Sequence, residues 1–427
     1  MLKKSFIGLA KPYIKYESIG DRLPGSNNIS APNTVTLLLP VPFDQTADDL
    51  LKEGDTVKTG QKLSVSENHD EYVISTVTGK VVSISSFTGK FDRLYTAISI
   101  ETAKKEELDD QFKEHCNSPT IDSAARFLGC APGRPPFNLF SDPDKPIDTI
   151  IVCGTDSDLL VQTNQYLVQS DMDAIKTGIS TLKKITGIDN IIMVVPEDLV
   201  QECSNAGIEV NSVSSQYPSA LPQLIMQNIL GKVVPSGKSC EDLGVCFFSA
   251  EAVVSVGNAF KDGKIPITKT ITLIKKDESR ILVDARIGTP INEIFKAVDI
   301  NLSEKDRVII GGPMTGSSVY SEKHPVEPDT DAIIIQDKEN LPLTSDYPCI
   351  NCGECIRICP AKIPVNMLVR FLEAEQYEEG ASEYDLFSCI ECGLCSYVCV
   401  SRIPIFQYIK LAKHELGRIN TAEEVYE

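Results

Sequence analysis

Between residues 34 and 101 the chain alternates short apolar runs (TVTLLLPV, KLSVS, YVISTV, KVVSIS) with turn signals at Glu53-Gly54-Asp55, Thr59-Gly60 and Thr78-Gly79. Runs of strand length punctuated in this way predict a β domain over 34–103. Upstream, residues 1–33 carry breakers at Pro12, Gly20, Pro24, Gly25 and Pro32 and predict an irregular segment. A polar, proline-rich connection fills 103–146, and from Pro146 the pattern switches to strands alternating with helices. PIDTIIVCG, IIMVV, IEVNSVSS and GVCFFS predict strands, while 156–186, 196–206 and 221–230 have helical spacing. This alternation defines an α/β domain, taken with its linker as 104–262. β character returns over 263–320 in KTITLIKK, RILVDARIG and RVIIGGPMTG, around a short helix at 290–298. A loop rich in Pro, Glu and Asp (322–331) follows, and the unit is taken as 263–340. In the last stretch, 341–427, helical spacing recurs at 365–379, with Met367, Leu368, Phe371 and Leu372 on one face, and at 405–416.

Composition narrows the class. At 427 residues the chain has room for about three domains of ~150 residues. No run approaches the ~20 apolar residues of a spanning helix, and the best ones, 147–153 and 191–195, have strand length. The apolar start MLKKSFIGLAKPYIKYE is broken by Lys11 and Pro12, unlike a secretory signal. The expectation is a cytoplasmic chain, soluble or docked on a membrane partner, with no span of its own. A formal charge of -19 argues against nucleic acid, whose binding needs a basic surface. Anionic lipid would also repel it, so membrane association would go through a protein.

Fourteen cysteines without a signal peptide point to thiolate chemistry and not to a disulfide scaffold. Six are scattered: Cys116, Cys130, Cys153, Cys203, Cys240 and Cys246. The other eight form two sets. CINCGECIRICP holds Cys349, Cys352, Cys355 and Cys359 before Pro360, and CIECGLCSYVCV holds Cys389, Cys392, Cys395 and Cys399. Each set has the spacing Cys-x2-Cys-x2-Cys-x3-Cys. In two-cluster ferredoxins, three such cysteines wrap one [4Fe–4S] cube and the fourth ligates the other. Cys349, Cys352, Cys355 and Cys399 are therefore assigned to one cluster, and Cys389, Cys392, Cys395 and Cys359 to the second. Gly353 and Gly393 keep the turns free of side chains. Val400 stands where proline is usual, with Pro404 soon after. Zinc motifs use ligand pairs separated by a longer loop, which this doubled pattern lacks. Fourfold ligation leaves no open iron for substrate, so the clusters read as an electron wire with no catalytic residue.

Three resemblances extend this reading. EGDTVKTGQKL followed by STVTGKVVSI resembles the barrel-sandwich hybrid fold of biotinyl and lipoyl domains. Those domains modify a lysine at a hairpin tip; Lys80 lacks the Asp-Lys or Met-Lys tip, so a structural β domain is expected. The two cysteine motifs joined by a helical insertion resemble the α-helical ferredoxin modules of respiratory enzymes. As a whole, roughly over 34–420, the chain resembles the C subunit of the Rnf electron-transport complex. The matching order is a barrel-sandwich-hybrid-like β domain, a Rossmann-like α/β domain, an SLBB-type β-grasp unit and a two-cluster ferredoxin module. VPSG (234–237), RIGTPINEIF (286–295), GGPMTG (311–316) and DLFSCIECGLCSYVCVSRIPIFQYIKLAKHEL carry it.

The resemblance implies a peripheral subunit on the cytoplasmic face of a membrane-bound, ion-pumping complex, with other Rnf-type membrane and iron–sulfur subunits as partners. Most C subunits bind FMN and NADH through a glycine-rich GxGGAGFP loop. Here the equivalent stretch is RFLGCAPGRPPFN: Gly129 and Gly133 remain, but Cys130, Ala131 and Pro132 fill the interior. Pro132, Pro135 and Pro136 remove N–H donors. The family's acidic Glu-Cys-Glu-Pro stretch is matched by Thr155-Asp156-Ser157-Asp158. The expectation is a degenerate pocket without FMN, no oxidation of NADH, and an electron relay fed by reduced ferredoxin. The competing expectation is an FMN-containing, NADH-oxidising flavoenzyme subunit, or a protein like the cobalamin reductases, with Asp156 and Asp158 doing the missing acids' work. Cys130 and Cys153 read as apolar filler. His69, His115, His324 and His414 lack ligand spacing, and Gly311–Pro313 reads as a turn because no helix with Lys follows.

Overall fold

The computed structural model describes residues 12–19, 25–43, 51–65, 71–89, 93–116, 118–341, 344–345 and 347–426, with side chains to Arg418. Gly20, Pro24 and His69 lie outside the described residues.

The first sheet runs Thr34–Leu39, Leu94–Thr102, Gly79–Thr88, Thr56–Val57 in antiparallel order. Alternation along the first strand buries Val35, Leu37 and Leu39 against Val57, Leu63, Val81, Ile98 and Ile100. A small ladder, Lys62–Leu63 with Val73–Ile74, adds to this half-barrel. Thr78-Gly79 is not the turn expected. Gly79 sits inside a strand, where an added Cβ would meet the Glu101 carbonyl oxygen at 2.0 Å. Close approach of the neighbouring strand, not a bend, requires glycine here. Lys80 pairs with Thr56 within the ladder and is not at a hairpin tip.

Four parallel strands form the α/β sheet in the order Val210–Val213, Ile191–Pro196, Thr149–Cys153, Val245–Ser249. The connection before it is more structured than its composition suggested. Helix Ile121–Leu128 opens on a reciprocal cap between Thr120 and Ser123, and buries Ala124, Phe127 and Leu128 at helical spacing. Stretch 156–186 resolves into a loop and two helices, Thr163–Ser170 and Met172–Thr186. Loop 154–162 stays non-helical because its Asp side chains bind backbone N–H groups, the usual competition with helix. Likewise 196–206 divides into a 3-10 turn, Glu197–Leu199, and helix Val200–Asn205.

The third sheet has six strands: Ser26–Asn28, Arg280–Arg286, Thr268–Ile274, Ala332–Gln336, Arg307–Ile310 and Ser317–Ser318. Its central pair, Thr268–Ile274 with Ala332–Gln336, is parallel, and helix Ile291–Ala297 packs Ile291, Ile294 and Phe295 into its core. The edge strand corrects the reading of 1–33 as irregular. Ser26–Asn28 pairs in parallel with Leu282–Asp284, and Asn27 Nδ2 adds a hydrogen bond to the Leu282 carbonyl (3.2 Å). Three residues between breakers are too few to show a period of two.

Polar seams join the units. Lys269, fully buried in the third sheet, donates to Glu251 on helix Ala250–Asp262 and to Asp331 (2.7 Å). Arg286 Nη1 donates to the Thr76 carbonyl and to Glu106, both at 2.7 Å, tying this sheet to the half-barrel.

The C-terminal unit is helical: Glu354–Ile358, Val365–Glu373, Tyr377–Glu383, Leu394–Val398 and Ile405–Tyr426. The helix expected at 365–379 breaks at Glu375, which takes a left-handed φ of 58°. Its buried stripe is Val365, Leu368, Val369 and Leu372, so Met367 and Phe371 are only half-buried. The last helix continues well past 416. Among the described residues no helix is long and apolar enough to cross a membrane.

Candidate metal centre

The two cysteine segments fold alike. Asn351, Gly353 and Lys362 in the first, and Glu391, Gly393 and Arg402 in the second, take left-handed φ between 55° and 74°. Each glycine starts a five-residue helix, Glu354–Ile358 or Leu394–Val398, and these two helices pack together. Cys349, Cys352, Cys355 and Cys399 line one small cavity, so the fourth thiol comes from the other segment. The reciprocal exchange brings Cys359 into electrostatic range of Cys389, Cys392 and Cys395.

Burial, then the crowd of neighbouring thiols, pushes Cys355 up to about 11. Burial likewise raises Cys392 to about 12, and Cys395 well above the ordinary thiol range. Such thiols resist ionisation in water, and iron is the cation that would bring them to the thiolate form. Four sulfurs around one zinc would stand about 3.8 Å apart. Among the described residues no three His, Cys, Asp or Glu side chains converge so as to hold a single ion.

The two sets differ in surroundings. Beside the first, Cys352 is exposed, as are Ile350 (66%), Tyr347 (78%) and Val400 (40%). The second is covered. Cys392 and Leu394 pack with Tyr217, Leu221, Ile14, Tyr16, Leu159 and Met314, and the Tyr217 hydroxyl donates to the Cys392 carbonyl at 2.7 Å. Lys413 Nζ donates to the Cys389 carbonyl (2.8 Å) and to Glu391 (2.7 Å). The sets are called outer and inner below.

The α/β unit faces the inner set. In the stretch equivalent to the family's flavin loop, backbone donors are already engaged. Gly129 N–H donates to the Tyr72 hydroxyl, Ala131 to Leu128, Gly133 to Pro328 and Arg134 to Ala131. Behind it, helix Ala250–Asp262 is capped by Ser249 on Ala252 N–H, while Glu251 N–H donates to Asn164 Oδ1. Gly133 lies so close that an added Cβ would sit 2.3 Å from Ala252 N. A helix N-terminus can cradle phosphate only while its N–H groups are free. The two acids are occupied as well. Asp156, raised to about 6 by burial, accepts from the N–H and side-chain amides of Asn164 and Gln165. Asp158 holds the 311–316 turn.

Sequence reading singled out the eight cysteines as ligands and missed the buried Lys269 and Glu251, Tyr217 and the role of Asp158. A lysine inside the apolar strand KTITLIKK was the one visible signal. Burial raises Cys130 to about 11 and Cys153 to about 12, in keeping with filler. His324 contacts Glu327 (3.2 Å), and His115 packs on the Phe127 ring.

The fold and site thus define a two-cluster iron–sulfur protein built onto an α/β unit and a half-barrel. Family models match in the same order: the RnfC barrel sandwich hybrid domain over 11–105, the Nuo51 FMN-binding domain over 137–258 and a 4Fe-4S dicluster domain over 342–400. The chain is 24% identical to the C subunit of the Na(+)-translocating ferredoxin:NAD(+) oxidoreductase complex of Acetobacterium woodii, covering 74% of this chain and 76% of the relative. It is 25% identical to the C subunit of the proton-translocating ferredoxin:NAD(+) oxidoreductase complex of Clostridium ljungdahlii, over 86% and 84%. Identity reaches 31% with the C subunit of the ion-translocating oxidoreductase complex of Yersinia pseudotuberculosis, over 63% of this chain and 40% of the relative. Over most of its length the chain is thus similar to C subunits of ion-translocating oxidoreductase complexes.

Proposed function

We propose that this chain is the peripheral iron–sulfur electron-transfer subunit of an Rnf-type ion-translocating complex, relaying electrons without oxidising NADH itself. The crossed sharing of cysteines carries the reading: each set of three is completed by a thiol from the other segment. Bound [4Fe–4S] clusters would supply reversible one-electron chemistry. Cys349, Cys352, Cys355 and Cys399 would hold the outer one, and Cys389, Cys392, Cys395 and Cys359 the inner one. The remaining residues position and insulate. Tyr217, Leu221 and Met314 keep water from the inner set, while exposed Ile350 and Tyr347 offer a carrier an approach to the outer one.

Reduced ferredoxin is the donor we favour, and the sheet over 263–340 serves as an SLBB-type β-grasp spacer. The Rossmann-like α/β unit persists as scaffold, because the loop donors and acids a flavin would need are engaged internally. Docking on membrane subunits at the cytoplasmic face follows from the same reading. A second reading has one specific support, the match of 137–258 to the Nuo51 FMN-binding domain. In it the chain retains FMN and oxidises NADH.

Anaerobically purified full-length chain tests both. The relay reading expects about eight irons and eight sulfides per chain, no stoichiometric flavin released on denaturation, and cluster reduction by ferredoxin but not by NADH. Stoichiometric FMN with bleaching by NADH would establish the second reading, and zinc in place of iron would sink both.

A further inference from the structure

Asp158 comes from the α/β unit, yet its bonds run to the third sheet and, through it, to the inner cysteines. Asp158 is 4% exposed. It accepts from Met314 N–H (3.1 Å), Thr315 N–H (2.8 Å) and the Thr315 hydroxyl (2.6 Å), besides its own neighbour Leu159 N–H (2.7 Å). Turn 311–316 lies flat on it: a Cβ at Gly312 would fall 2.2 Å from Asp158 Cγ. The other side of the turn meets the inner motif. The Met314 carbonyl oxygen would be 2.4 Å from a Cβ at Gly393, between Cys392 and Cys395 in the chain, and Lys410 of the last helix donates to the Thr315 carbonyl (3.2 Å). Met314 packs with Cys392, Leu394 and Tyr217.

We propose that Asp158 is a positioning residue for the inner cluster: it pins turn 311–316 as a cover over Cys392–Cys395 and so sets that cluster's reduction potential. The inference rests on the two-cluster reading above. Cluster potentials follow net charge, hydrogen bonding and solvent exposure. A reduced cluster carries one more negative charge than the oxidised one. Removing a nearby carboxylate charge and admitting water both favour the reduced form, so both raise the potential. The cavity of the outer set, lined by Cys349, Cys352, Cys355 and Cys399, has none of Asp158, Met314 or Thr315 in its wall.

The experiment is an anaerobic redox titration of the full-length holoprotein with dithionite, read by electron paramagnetic resonance. A Cys352→Ala chain, lacking the outer cluster, identifies the inner signal. Asp158→Asn is expected to raise the reduced-to-oxidised ratio of the inner cluster about tenfold at the wild-type midpoint, ~59 mV for a one-electron couple. Thr315→Val removes one donor at constant size and shifts the same signal the same way by less. The outer signal stays put in both. Asp158→Asn or Thr315→Val protein with full iron content and an unmoved inner potential overturns the proposal, as does an equal shift of both clusters. Should Asp158→Asn not fold, Thr315→Val decides. Wild-type chain without two cluster signals fails at the earlier step and removes the relay reading itself.

Discussion

Gly353 and Gly393 occupy matching places in the two motifs and share a left-handed φ, 74° and 72°. Their neighbours differ. Beyond Gly353 there is only the end of the Arg357 side chain at 3.6 Å, whereas Gly393 abuts the backbone of Met314. Alanine at 353 therefore meets conformational strain alone, about 1 kcal/mol. At 393 it meets the same strain plus a backbone clash that no rotamer relieves. The expected outcome is that Gly353→Ala retains both clusters and Gly393→Ala loses the inner one, halving iron and sulfide per chain. Equal iron in the two variants would contradict the inner–outer asymmetry. The cysteine pattern made these glycines legible in the sequence. What they touch was not, because Met314 reaches position 393 only through the tertiary fold.

At the scale of elements, helix Ala250–Asp262 and strand Thr268–Ile274 meet through Lys269, Glu251 and Asp331. Burial works against the Lys269 ammonium, but Asp331 and Glu251 outweigh it and hold it protonated above its usual range. Burial raises Glu251 as well, to about 7. The group is a set of charges with little water to fall back on, so deleting one partner is costly. Lys269→Met should destabilise the joined pair by about 3–5 kcal/mol, and adding Glu251→Gln should recover part of the loss. Because the chain has no Trp, urea unfolding followed by circular dichroism is the suitable readout. Additive losses in the double variant would show that the two side chains do not act as a pair. Elements of this kind divide by legibility. Thr34–Leu39 was readable by its alternation, and Val245–Ser249 as a short unbroken apolar run. Helix Ile121–Leu128 hid in a proline-rich stretch because its apolar positions fill barely two turns. Ser26–Asn28 exists only through its partner strand. The Thr155–Asp158 acids were visible as charges, but their hydrogen-bond partners come from other elements, so their structural work was not.

For the whole molecule, the asymmetry of the two sets implies a direction of approach. The inner set is enclosed by the α/β unit, the N-terminal segment and turn 311–316, while the outer set has an apolar margin at Tyr347, Ile350, Tyr397 and Val400. Arg402, three residues beyond Cys399, is exposed near that margin, a local basic contribution on a chain of net charge -19. Small carriers dock by modest apolar contacts steered by charge, so an acidic side chain placed within the contact should act on encounter and not on the clusters. Ile350→Glu is expected to slow reduction by reduced ferredoxin about tenfold, equivalent to ~1.4 kcal/mol. It should leave iron content and reduction by dithionite, which needs no docking surface, as in the wild type. Stopped-flow bleaching with each reductant separates the two effects. If ferredoxin reduces Ile350→Glu at the wild-type rate, electrons enter elsewhere, and the exposed Phe387 beside Cys389 becomes the margin to alter next.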